Sequence, residues 1–168
     1  MLRSLIAVLA LFCASCAPRN FDQLYVPYAV RAGYGYSEQR LDARRFVVTY
    51  NAPVETGFTF AGDAGREVAD RALARAYEFA LARAAEITIA EGYSAFRVED
   101  RRNEAQSQNY EAWQGPFVRA ERNYAMDDAY LMARVTLVVA MLPALETGAY
   151  EAKGTLAAIR QRYAQSPA

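Results

Sequence analysis

The chain contains no histidine, a single lysine (Lys153) and two cysteines, both within its first sixteen residues. Without histidine the commonest general base and metal ligand are missing. With Cys13 and Cys16 as the two thiols, the body of the chain holds no internal disulfide and no thiol site. Zinc held by carboxylates alone is rare, and no D-x-D-x-D-G calcium loop occurs, so neither a metal nor a cofactor is expected. Basic runs are absent too. Nineteen Lys and Arg balance nineteen Asp and Glu to a formal net charge of zero, which argues against a nucleic-acid partner. Long apolar runs are also lacking: Leu5–Phe12 covers about half of a bilayer core, and Arg134 interrupts Leu131–Leu142. What remains is a 168-residue chain, 54% hydrophobic, the size of one domain with a sizeable core.

The first residues have the form of a secretory signal: basic Met1-Leu2-Arg3-Ser4, apolar Leu5–Phe12, then small residues. Ala14-Ser15-Cys16 places two small residues directly before a cysteine, the pattern of a bacterial lipobox. Cleavage before Cys16 exposes a thiol and an amine for acylation with diacylglycerol and palmitate, and two or more chains give stable anchoring. An ordinary secretory cut after Ala17 is opposed by Pro18. Ala17 follows the cysteine instead of Asp, and similarity to enteric lipoproteins then implies outer-membrane sorting, with the domain facing the periplasm. The expected organisation is a lipoprotein signal peptide over 1–15, a lipid-anchored tether over 16–32 and one domain over 33–168.

Within that domain, Gly33–Glu38 and Arg45–Tyr50 read as a β-hairpin, the second rich in β-branched and aromatic residues. Asp63–Glu91 reads as one long helix with Asp63 as N-cap and Gly92 just past its end; Val68, Ala72, Ala76, Phe79, Ala80 and Ile87 form its apolar face. Tyr93–Glu99 and Tyr130–Leu142 alternate as strands. The polar stretch Asp100–Asp128 between them is either an extended hairpin arm or a loop. Thr155 is the expected cap of a short C-terminal helix presenting Leu156, Ile159 and Tyr163. The order β-β-α-β-β-α predicts an α+β two-layer sandwich: about four antiparallel strands with the long helix packed on them.

Gly35-Tyr36-Ser37-Glu38, Arg45-Phe46-Val47-Val48, Leu81-Ala82-Arg83-Ala84-Ala85-Glu86-Ile87-Thr88, Gly92-Tyr93 and Phe96-Arg97-Val98 resemble, in order and spacing, a family of small alphaproteobacterial lipoproteins without assigned activity. The resemblance covers roughly residues 33–100 together with the cysteine. It implies an envelope lipoprotein and supplies no catalytic residues.

Candidate chemistry is sparse. Arg83 and Glu86 lie one helical turn apart and read as an anion or partner site, or as a surface ion pair. Ser37 has no histidine base. Glu99-Asp100 and Asp127-Asp128 bracket the long connection and would meet if the arm closed at its base, as a carboxylate-based glycan hydrolase requires. Tyr110, Trp113, Phe117 and Tyr124 stand among Gln, Asn and Arg, the composition of a partner-recognition arm. The leading expectation is a non-catalytic lipoprotein, bound to the membrane through Cys16, with an interaction or structural role toward an envelope protein or peptidoglycan. The alternative is an apolar small-ligand binder with a cleft lined by Tyr36, Tyr50 and Phe96.

Overall fold

A computed structural model describes residues 21–57, 62–109 and 129–164. Its elements are α1 (Phe21–Leu24), β1 (Gly35–Arg40), β2 (Arg45–Asn51), β3 (Glu55–Gly57), α2 (Gly62–Ala90), β4 (Ala95–Asn109), β5 (Ala129–Leu142), β6 (Tyr150–Glu151) and α3 (Ala152–Ala164). The class is α+β, as expected. The antiparallel sheet is larger than the four strands expected: its order is β1-β2-β5-β4-β6, with β3 also paired to β5.

The two additional strands are short, and neither has a hydrophobic period long enough to be read from sequence. β3 continues the line of β2 along β5 with one extra residue, since Asn51 faces Arg134 but Glu55 faces Leu131. Pro53, which has no N–H to give, falls in that break. β6 pairs its two residues with Ala95 and Phe96.

The polar stretch after Glu99 is strand as far as Asn109, paired residue by residue with β5 up to Ala129. A bulge leaves Glu99 without a partner between the pairs Val98–Val139 and Asp100–Val138. Beyond it the alternation is inverted, and Arg101, Asn103 and Ala105 lie opposite the buried Leu137, Val135 and Ala133. These β4 residues are exposed, although Arg101 lies over the Tyr77 ring of α2. The stretch therefore carries no apolar period although it is strand.

Phe46, Val48, Tyr50, Phe96, Val135, Leu137, Val139 and Met141 make the sheet side of the core. Ala72, Ala76, Phe79, Ala80, Ala84 and Ala85 of α2 meet them, all at most 2% exposed. Alanine favours the helix and lets its axis approach closely. α3 packs chiefly on α2 and buries Ile159, with Leu156 and Tyr163 half-buried beside it. Its cap is Glu151, whose carboxylate accepts the N–H groups of Lys153 (3.1 Å) and Gly154. Thr155, the expected cap, already lies inside the helix because α3 begins at Ala152.

From Phe21 onward, the segment expected as an irregular tether is part of the folded body. Phe21 and Leu24 are buried in the common core. Phe21 lies 4.6 Å from Tyr25, 5.3 Å from Phe79 and 6.1 Å from Tyr163 between ring centroids. The Tyr50 hydroxyl donates to the Leu24 carbonyl at 2.8 Å. The chain then runs beside β1, where Tyr28 N–H donates to Tyr36 O and Tyr36 N–H to Val26 O. Scattered aromatics give no periodic signal, yet stacked on Phe79 they bury large areas.

This close approach requires a glycine at 35. Its φ is +119°, and a Cβ there would stand 2.5 Å from Val26 O and 2.9 Å from Pro27 O. Gly92, after α2, also has positive φ (+80°) but nothing within 4 Å. Gly92→Ala is expected to cost about 1–2 kcal/mol, for left-handed backbone alone. Gly35→Ala should cost more, about 2–4 kcal/mol, because strain and clash add. Urea denaturation of the two variants checks the order.

Candidate functional site

The segments Gly35–Glu38 and Leu81–Thr88 meet in one place. Arg83 on α2 reaches Glu38 on β1 with two hydrogen bonds, Nε to Oε2 at 2.6 Å and Nη2 to Oε1 at 3.0 Å. Its Nη1 donates to Glu86 at 3.0 Å, and its guanidinium lies 4.6 Å from the centre of the Tyr36 ring. Glu86 is the hub: it also accepts from the Tyr25 hydroxyl at 2.7 Å and from Arg160 of α3 at 2.8 Å. The Arg83 and Glu86 side chains are 23% and 22% exposed. The paired carboxylates hold the Arg83 guanidinium still more firmly protonated than usual, against a smaller opposing effect of burial. Burial, and then the hydrogen bond to Glu86, push the Tyr25 hydroxyl well above the ordinary tyrosine range.

This geometry joins the segment just after α1 to β1, α2 and α3 with charge-assisted bonds in a half-buried setting, where they outweigh exposed ion pairs. Each carboxylate oxygen of Glu86 already has a partner. The cluster is thus a clamp, and the Arg83–Glu86 pair is more than a surface ion pair. A second charged seam lies about two turns before Glu86, where Glu78 accepts from Tyr163 at 2.8 Å and pairs with Arg162.

At the end of the sheet where β6 pairs, the Tyr77 and Tyr150 hydroxyls share a hydrogen bond of 2.8 Å. Tyr150 stacks on Phe96 at 5.3 Å, and Arg101 covers Tyr77 at 3.9 Å. Burial and the Tyr150 hydroxyl push Tyr77 up to about 12. Sequence spacing did not single out this group, because its members come from α2, β4 and β6 and meet through the fold alone.

The expected ligand cleft does not form from the named aromatics. Tyr50 and Phe96 are fully buried, and Tyr36 stacks between Tyr25 and Arg83. A groove of about 260 Å³ lies elsewhere, lined by Tyr28, Val54, Met132, Arg134, Glu104 and Gln106 among others. Of the two acidic pairs expected to meet, Glu99-Asp100 is described. Asp100 pairs with Val138, while the hairpin's last described pair is Asn109–Ala129. Asp127 and Asp128 lie outside the described residues. Glu99 and Asp100 sit beside Arg45 (4.0 Å) and Arg102 (3.4 Å). Cys16, Tyr110, Trp113, Phe117 and Tyr124 lie outside the described residues.

Comparison with protein-family models, with curated proteins and with solved structures finds no match to this chain. Among the described residues no group of three or more acidic, Cys or His side chains could hold a metal ion, and no helix is long and apolar enough to cross a membrane.

Two outcomes test the clamp. Arg83→Ala should destabilise the fold by about 1–3 kcal/mol, since it removes bonds to two carboxylates; chemical denaturation measures it. The tyrosines make stability alkaline-sensitive. Unfolded tyrosine ionises at its ordinary value of 10.0, whereas Tyr25, Tyr50 and Tyr77 do so higher when folded. The stability they contribute is complete below pH 10 and is lost as pH rises above it. Thermal melts from pH 8 to 12 should show this fall, and Tyr50→Phe should make it shallower.

Proposed function

We propose that this chain is an envelope lipoprotein, acylated on Cys16, with a non-catalytic interaction or structural role on the periplasmic side of the outer membrane. The observation that carries the reading is Ala14-Ser15-Cys16 directly after a short apolar run with a basic start. The resemblance of the Gly35–Glu38 and Leu81–Thr88 motifs to small alphaproteobacterial lipoproteins supports it. So does the use those motifs have: Arg83 bonds to both Glu38 and Glu86, and these three side chains are occupied in holding the fold. The aromatic arm residues Tyr110, Trp113, Phe117 and Tyr124 remain the proposed contact with an envelope protein or peptidoglycan.

A second reading, a lipoprotein that binds a small apolar ligand, draws on the groove beside Tyr28, Val54 and Met132. Its apolar rim is exposed, each of the three side chains being at least 42% accessible.

Cys16→Ala should move the protein from the membrane fraction to the soluble fraction of the envelope. Mass spectrometry of the purified wild-type chain should show a start at Cys16 carrying acyl mass. An unmodified Cys16, or a variant that stays on the membrane, overturns the proposal.

A further inference from the structure

The outer edge of β4 is open over most of its length. β6 covers Ala95 and Phe96, and from Arg97 to Asn109 no described strand pairs on that side. An open edge presents a row of backbone donors and acceptors, which proteins ordinarily blunt with charges and bulges. The bulge at Glu99 does so for the near end. Beyond it, Asp100–Gln106 is regular strand, paired with β5 on one side, with exposed side chains throughout.

The charges of this segment are arranged to accept a copy of themselves. Two identical edges pair antiparallel about a two-fold axis perpendicular to the sheet, and each side chain then stays on its own face. An axis at Asp100, Arg101, Arg102 or Glu104 sets that charge against its own copy. An axis at Asn103 sets Arg102 opposite Glu104 twice, Arg101 opposite Ala105 and Asp100 opposite Gln106, with no like charges facing. Opposite-charge pairs across strands favour a register, and like pairs disfavour it.

We propose that the chain forms a homodimer by antiparallel pairing of β4 edges over Asp100–Gln106, with Asn103 on the axis. The same axis leaves both helix layers, and with them both α1 segments, on one face of the joined sheet. Two anchors could then enter one membrane. That last clause rests on acylation at Cys16; the pairing itself does not.

Disulfide trapping in the full chain reads the register. After signal cleavage the chain has no thiol but Cys16, so an introduced cysteine is unambiguous, with the wild type as control. Asn103→Cys should give a disulfide-linked dimer on mild oxidation. Ala105→Cys should not, because its copy lies about 13 Å away along the strand, beyond disulfide reach. A wild-type dimer under the same conditions would report a free Cys16 and overturn the anchor alone. Arg102→Glu should weaken dimerisation about tenfold, as read by sedimentation, and Arg102→Glu with Glu104→Arg should restore it. Both residues are exposed, so folding is not at stake. Equal trapping at 103 and 105, no rescue by the charge swap, trapping of Asn103→Cys to a different protein, or a wild-type chain that sediments as a monomer at every concentration reached would each overturn the proposal.

Discussion

A helix covered on two sides must find partners for the charges on its covered flank, and this constraint shapes the molecule. α2 meets the sheet with alanines and Phe79 on one side and receives α1 and α3 on the other. Glu78, Arg83 and Glu86 lie on the covered flank, each with less than a quarter of its side chain exposed. Carboxylates so placed are tolerated when paired and hydrogen-bonded, and costly when one partner is removed. The partners come from everything α2 touches: Glu38 from β1, Tyr25 from the N-terminal segment, and Arg160, Arg162 and Tyr163 from α3. The network therefore specifies where those segments dock as much as it stabilises them.

That arrangement changes the meaning of the motifs. A Ser beside a carboxylate in Gly-Tyr-Ser-Glu, or an Arg and Glu one turn apart, suggests chemistry when read alone. In the fold, Gly35 is needed where Val26 and Pro27 pass, Tyr36 lies against the Arg83 guanidinium, and Glu38 receives it. The pattern is a recipe for seating the N-terminal segment on the sheet and helix.

Much of the fold was legible because hydrophobic period and burial coincide. The β2 alternation, the apolar stripe of α2, and Val135, Leu137 and Val139 on β5 all face the core. Legibility stopped where they part company. The far half of β4 is strand held by backbone pairing to β5, with polar residues on both faces, so no period marks it. α1 is four residues long, and its place depends on Phe79 and Tyr163, which come much later in the sequence. The Glu151 cap stands four residues before the threonine that composition favoured. The candidate site was legible in part: Arg83 and Glu86 stood out as a pair, but Tyr25, Glu38 and Arg160 belong to other elements and only tertiary packing gathers them.

The buried Phe21 also bears on what an anchored domain could reach. If the chain is held by acyl groups on Cys16, the span from there to Phe21 is at most about 17 Å even fully extended. The body would then ride close to the bilayer surface, instead of swinging on a seventeen-residue leash. Among the described residues, β5 runs about 45 Å over its 14 residues. Contacts would be confined to roughly that height above the membrane, unless the connection between Asn109 and Ala129 adds to it. A partner of the described body would have to lie within this layer, which favours a neighbour at the same membrane over a distant one.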